Sequence, residues 1–160
     1  MCTNKNQLFF FEAYFPPASM TQFREESRLP MANGYALGVP PTQIIWDGDL
    51  IYIASKKNYM IMDYTDGQLV AKYELVNGDV PMMSVYKDKC LVVTRLGKEA
   101  QFLLPRDGGI LQDKPYFDLE AGSSTLVSIQ LVDEQYVVAV FDNMVKIFKA
   151  STGDLLQTVG

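Results

Sequence analysis

The stretch Asp47–Val70, DGDLIYIASKKNYMIMDYTDGQLV, decides the fold. It holds two short apolar runs joined by a charged corner and closed by a Thr-Asp-Gly turn. The same design returns twice in the chain, so that three units follow one another: Pro40–Leu75, Val80–Leu119 and Thr125–Val159. Aligned on one another, their second strands are predicted to begin at steps of 40 and 46 residues, at Leu50, Cys90 and Tyr136.

A glycine turn follows the third strand of each unit. These turns are Asp66-Gly67, Asp107-Gly108 and Thr152-Gly153. A four-stranded unit that repeats every forty to fifty residues is typical of a β-propeller blade. The nearly continuous apolar texture of LIYIA and YVVAV agrees, because blade strands are covered on both faces. A β-sandwich with regular turns is the competing architecture.

The N-terminal part is interpreted as half of a further blade. QLFFFEAYF, Gln7–Phe15, is predicted to be a third strand, followed by a polar loop with Arg24, Glu25 and Glu26 and a weak outer strand near Arg28–Met31. The predicted fold is therefore all-β, a partial β-propeller of about three and a half four-stranded antiparallel blades. Their approximate bounds are 7–31 for the half blade and 40–75, 80–119 and 125–159 for the complete ones.

Three and a half blades do not close a ring, since closed propellers have at least four. Each open end is expected to expose one apolar blade face, which favours association. We therefore expect the chain to be a piece of a longer propeller, to need a partner that covers its ends, or to self-associate through its open faces.

Composition excludes several functions. The net charge of −5 without a basic stripe argues against binding nucleic acid. The N-terminus lacks a signal-type apolar core, and no apolar run is long enough to cross a bilayer, so a cytosolic protein is expected. The two cysteines suit a reducing compartment. Cys90 should be buried in a second strand, Cys2 exposed, and the two not bridged.

The sequence predicts no catalytic, cofactor-binding or metal-binding residue and no cofactor. The chain has no histidine, which excludes imidazole-dependent sites. Asp47 and Asp49 flank Gly48 in a way that loosely suggests calcium, but a hairpin turn explains WDGD better. Trp46 is expected to pack between blades. The paired carboxylates Glu25-Glu26 and Asp133-Glu134 are interpreted as solvated loop charges.

The corner Lys56-Lys57-Asn58-Tyr59 is the one candidate for partner binding. It is predicted to be exposed between two strands, where it would contact an acidic partner through Lys56, Lys57 and Tyr59. The alternative is a solvated loop without a binding role, since basic pairs are common on protein surfaces.

Three stretches resemble the citron homology (CNH) propeller: VPPTQIIWDGDLIYIASKKNYMIMDYTDG from Val39, KNQLFFFEAYF from Lys5 and VDEQYVVAVFDNMVKIFKASTGDLLQTV from Val132. Within this family the chain is most similar to the N-terminal propeller of vacuolar-sorting tethering subunits of HOPS and CORVET complexes, the TGF-β-receptor-associated protein family. The resemblance implies a non-enzymatic interaction scaffold in endosomal and lysosomal vesicle fusion. It also implies Rab-type GTPases and other tethering subunits as partners, and a peripheral location on late endosome or lysosome (vacuole) membranes.

Two other functions stay open. The chain would also fit a regulatory CNH segment of a citron-type kinase or of a GTPase exchange factor. A fragment of an enzymatic, quinone-type propeller belongs to a different class, and the lack of histidine and of a secretory signal weighs against it.

Overall fold

A computed structural model describes the backbone at residues 7–8, 11–14, 22–25, 35–119 and 122–160, with side chains from Leu37 onward. These residues form sixteen β-strands and no helix. The part of the chain so described therefore contains no helix that could cross a membrane.

Twelve of the strands build three four-stranded antiparallel sheets, which we call the first, second and third blades. In each blade the strands lie side by side in chain order, and this confirms the predicted all-β fold class. The first blade holds β5 (Pro41–Asp47), β6 (Leu50–Ser55), β7 (Asn58–Asp63) and β8 (Leu69–Glu74). The second holds β9 (Met83–Tyr86), β10 (Lys89–Thr94), β11 (Glu99–Leu104) and β12 (Ile110–Asp118). The third holds β13 (Leu126–Val132), β14 (Tyr136–Phe141), β15 (Val145–Lys149) and β16 (Leu155–Val159).

Four short strands precede the first blade. They are β1 (Gln7–Leu8), β2 (Phe11–Tyr14), β3 (Gln22–Glu25) and β4 (Tyr35–Ala36), and they pair as β1 with β4 and β2 with β3. The single strand predicted over Gln7–Phe15 thus contains two strands with different partners. The predicted loop is also wrong for Arg24 and Glu25, which end β3. Cys2, Glu26 and the strand predicted at Arg28–Met31 lie outside the described residues.

The first turn of each blade fixes the strand register. In the second blade Lys87 and Asp88 form a two-residue turn with φ of 45° and 65°, and positive φ at both positions is typical of a type I′ hairpin. This turn places the start of β10 at Lys89, one residue before the predicted Cys90. Equivalent second strands therefore begin 39 and 47 residues apart, rather than 40 and 46. A one-residue shift matters because it moves every side chain to the opposite face.

Two apolar layers join the three blades. Tyr52, Ala54, Tyr59 and Ile61 of the first blade pack against a second-blade face that includes Cys90. The other face of the second blade packs against the third through a larger cluster that includes Leu91, Val93, Phe102, Phe117, Leu131, Val137 and Phe148. The three phenylalanine rings meet edge to face, with 6.0 Å between successive centroids. Dense layers of this kind hold the blades as one stiff body.

Cys90 lies in the layer between the first two blades. It is 1% exposed and has a free thiol, which confirms its predicted burial within a second strand. The burial disfavours the charged thiolate and raises the thiol pKa to about 12.

The two ends of the chain's arc differ. The outer face of the first blade carries Ile51, Ile53, Met60 and Met62, all buried together with Leu37. The N-terminal open end is the predicted half blade over residues 7–31, whose side chains lie outside the described residues, so the expectation of an exposed apolar face there stays a prediction. At the other end, the third blade has no neighbour over one face, which we call the open face. Its apolar residues are half-buried or exposed: Val132, Tyr136, Val138, Val140, Val145, Ile147 and Leu156.

Candidate interaction surfaces

The basic corner between β6 and β7 has a fixed backbone and two exposed lysines. The Ser55 hydroxyl accepts hydrogen bonds from the Lys57 and Asn58 amides at 3.2 and 3.1 Å. The Leu75 amide donates to the Lys57 carbonyl at 2.7 Å. Lys56 and Lys57 are both exposed, and neither forms an ion pair within the described residues. The corner therefore presents two ammonium groups from a preformed loop.

Tyr59 and Asn58 do not belong to this surface. Both are buried, so the expectation that the whole corner is exposed is wrong for these two residues. The Tyr59 hydroxyl lies 2.6 Å from the Val93 carbonyl and accepts a hydrogen bond from the Met82 amide at 3.0 Å. Burial raises its pKa above the ordinary value. Tyr59 ties the first blade to the second, which leaves Lys56 and Lys57 as the predicted contact residues.

Trp46 lies at the surface rather than between blades, which corrects the prediction for this residue. It is 53% exposed, and its ring centroid lies 5.0 Å from that of Tyr64. Its indole N–H donates to the Gly48 carbonyl at 3.0 Å. The indole thus closes over the WDGD turn, where Asp47 pairs with Leu50 as the predicted hairpin requires. No group of three or more His, Cys, Asp or Glu residues that could hold a metal ion occurs among the described residues.

A cleft of about 320 Å³ opens between the second and third blades. Its apolar lining includes Phe102, Leu104, Pro105 and Pro115. At its rim the Lys89 ammonium lies 3.5 Å from the Glu134 carboxylate, so Glu134 is paired rather than only solvated as predicted. The volume is at the lower end for small-ligand sites, enough for one apolar side chain. No motif predicted this cleft, because its walls come from separate strands and turns.

The open face is an apolar surface that no blade covers in the described part of the chain. On β14 and β15 the side chains Val138, Val140, Val145 and Ile147 form a continuous patch, since Val138 pairs with Ile147 and Val140 with Val145. Tyr136 and Leu156 border it and are 43% and 52% exposed. A patch of aliphatic side chains with polar borders is typical of a protein contact.

Solved structures share this arrangement of sheets. BamB from Moraxella catarrhalis matches with a TM-score of 0.60 at 16% identity, over 78% of this chain and 39% of BamB. The β-propeller domain of Cps50 (Swd1) from Myceliophteria thermophila matches with a TM-score of 0.57 at 14% identity, over 76% and 41%. Hsv2 from Kluyveromyces lactis matches with a TM-score of 0.53 at 12% identity, over 76% and 37%.

The chain is a partial β-propeller. It spans about two fifths of the length of each of these three proteins. No protein-family model matches the chain, and no curated protein matches it. Identities of 12 to 16% support the fold of this propeller and carry no ligand or partner over to it.

Proposed function

We propose that this partial propeller is a non-enzymatic protein-interaction scaffold. The observation that carries the proposal is the basic corner, in which Lys56 and Lys57 are exposed on a loop held by the Ser55 hydroxyl and by the Leu75 amide. Binding residues in proteins are commonly found on loops that a rigid frame positions. A fixed loop also loses little conformational entropy when a partner binds.

The charge of the corner selects the partner's chemistry. Two ammonium groups that pair with no carboxylate among the side chains the structure describes attract an acidic surface and speed its association. The chain as a whole is acidic, with a net charge of −5, so the corner is a local exception to the average field. The proposed contact is therefore an acidic patch on another protein, rather than a nucleic acid.

The CNH resemblance suggests the complex and the cellular process in which this scaffold acts. In the proposal the propeller forms part of a HOPS- or CORVET-type tethering subunit, with a Rab-type GTPase and other tethering subunits as its partners. It would act in the cytoplasm, peripherally on late endosome or lysosome (vacuole) membranes, during vesicle trafficking and fusion. The same resemblance supports a second candidate, a regulatory segment of a citron-type kinase or exchange factor.

Binding to purified Rab-type GTPases, loaded with GTP or GDP, tests the proposal. The double variant Lys56→Glu/Lys57→Glu should bind several-fold more slowly at low salt, and the difference should shrink as salt is added. Lys98→Glu is the matched control, because Lys98 is also exposed but lies in the turn before β11 of the second blade. This control should associate at the unaltered rate.

Three results would contradict the proposal. The first is that no endosomal GTPase or tethering subunit binds the chain. The second is equal binding by the double variant and the parent at every salt concentration, which removes the basic corner from the contact. The third is hydrolytic or quinone-dependent turnover by the chain, which would favour the enzymatic alternative. Binding only to a kinase or exchange-factor domain would support the regulatory candidate instead.

A further inference from the structure

In each of the two joints between blades, a polar side chain of one blade binds the backbone of the next blade. The open face carries polar side chains at the equivalent positions. In the first joint, the Gln43 side chain donates to the Met83 carbonyl at 3.0 Å and accepts from the Met83 amide at 3.2 Å. In the second joint, the Ser84 hydroxyl accepts from the Leu131 amide at 2.9 Å. In both cases a polar side chain on the first strand of one blade binds the backbone of the next blade's first strand.

The third blade carries polar side chains at both of these positions. Gln43 pairs with Ala54 in the first blade, and Ser128 pairs in the same way with Val140 in the third. Ser84 pairs with Leu91 in the second blade, and Gln130 pairs in the same way with Val138. Gln130 is exposed and Ser128 half-buried. The open face thus holds, side by side, the two positions that bind a neighbouring backbone in the joints already formed.

A second shared contact lies at the outer strands. Gly109 packs so closely on Lys72 that an added Cβ would lie 2.8 Å from the Lys72 amide nitrogen. The Lys72 backbone amide also donates a hydrogen bond to the Gly108 carbonyl at 2.6 Å. Gly153 packs on Tyr116 in the next joint, where an added Cβ would overlap the Tyr116 carbonyl oxygen. The second and third blades therefore each place their glycine turn on the outer strand of the preceding blade.

The register identifies the corresponding residue on the third blade. Lys72 pairs with Met60 and Tyr116 pairs with Gln101, at equivalent positions of their blades. Thr158 pairs with Lys146 at the same position of the third blade, and it is exposed. Val138 and Val140 lie on the second strand of the third blade, between the first-strand and the outer-strand positions. The equivalent residues are Tyr52 and Ala54 in the first blade and Leu91 and Val93 in the second.

We propose that the open face is a docking site for one further four-stranded propeller blade. Ser128 and Gln130 bind the backbone of its first strand, the aliphatic patch covers its second and third strands, and its glycine turn rests on Thr158. A second copy of this chain joined head to tail fits less well, because its first blade offers Ile51 and Ile53, which are already buried. The solved propellers also extend well beyond the part that this chain matches.

A tandem chain tests the docking site. Residues 122–160 are repeated after Gly160 in a Cys2→Ser background, so that a copy of the third blade can reach the open face. Gln130→Cys is introduced either in the original third blade or in the added one, and thiol labelling is timed. The original-blade cysteine should react at least tenfold more slowly than the added-blade cysteine, which occupies the new open end. Cys90 is buried and contributes little to either rate.

Equal labelling rates would overturn the proposal, because they would show that the added blade does not cover the original open face. A second measurement uses the unextended chain with Val138→Lys. Its midpoint of unfolding should stay near that of the parent, and it should bind less hydrophobic dye, since Val138 lies on an uncovered surface. Strong destabilisation would contradict an empty site. Concentration-dependent protection of Gln130→Cys in the unextended chain, together with a dimer mass, would assign the face to a second copy and overturn the proposal.

Discussion

The outer face of the first blade and the open face of the third are built from similar side chains but differ in how far they are covered. On the first blade Ile51, Ile53 and Met62 are at most 2% exposed, and Leu37 lies in the same buried cluster. On the third blade Tyr136 is 43% exposed and Ile147 half-buried. The apolar texture of a strand therefore shows that both of its faces can be covered, but not that both are covered.

The difference has an energetic meaning. A buried methylene stabilises the fold through its transfer out of water and through its packing against the atoms around it, because the interior is close-packed. A methylene on the open face contributes little to folding and remains available to stabilise a complex. The first blade's outer face thus supports the stability of the chain, and the third blade's open face supports association.

One matched pair of substitutions measures this contrast. Ile53→Ala should lower the free energy of unfolding by about 3 kcal/mol, because Ile53 is fully buried and the cavity stays unfilled. Ile147→Ala removes the same atoms from the open face and should cost less than about 1 kcal/mol. Denaturant unfolding followed by circular dichroism measures both. Equal losses of stability would mean that the two faces are equally covered in solution.

Two tyrosines test whether every buried hydroxyl group between the first two blades has a hydrogen-bond partner. Both Tyr52 and Tyr59 are buried in the layer between the first two blades. The Tyr59 hydroxyl bonds the second blade, whereas the Tyr52 hydroxyl has no hydrogen-bond partner among the described residues. Tyr59→Phe should therefore lower the free energy of unfolding by about 1 to 2 kcal/mol, because it leaves backbone groups of Met82 and Val93 unsatisfied.

Tyr52→Phe should leave the stability unchanged or raise it slightly, since it removes a polar atom buried without a partner. Thermal unfolding of the two variants beside the parent gives the comparison. If Tyr52→Phe proves the more damaging substitution, a water molecule or another group must satisfy that hydroxyl, and the assignment of the inter-blade tie to Tyr59 would need revision.

Strand positions followed from the sequence because they depend on local signals. Apolar runs between glycine turns predicted second strands that begin at Leu50 and Tyr136, where β6 and β14 do begin. The start of the second blade's second strand was predicted one residue too late, at Cys90, because β10 begins with the charged Lys89, which an apolar run does not include.

The surfaces depended on contacts between distant residues and were predicted less well. Tyr59 follows two exposed lysines in the chain, yet its ring reaches Met82 and Val93 of the next blade. Trp46 belongs to an apolar run, but the strand ends there and the indole packs on Tyr64 at the surface. The role proposed for Gln130 follows from its equivalence to Ser84 in the neighbouring blade. That equivalence can be established only when the strand register is known.

The last expected effect concerns pH and again separates a covered position from an open one. The Cys90 thiol has its pKa raised by burial from about 9 to about 12. Above pH 9 the unfolded chain therefore loses this proton while the folded chain keeps it. The folded state binds more protons, so the free energy of unfolding falls as the pH rises from about 9 towards 12, by at most about 1.4 kcal/mol per pH unit.

Cys90→Ala should remove this fall between pH 8.5 and pH 10, measured as the change in the denaturant midpoint with pH. Tyr52 and Tyr59 also have pKa values raised by burial, but their contribution starts higher, near the ordinary tyrosine value of 10. Adding Val138→Cys to the Cys90→Ala chain should not restore the fall, because water reaches a thiol on the open face and desolvation does not raise its pKa. Restoration of the fall would show that a neighbour already covers the open face in solution.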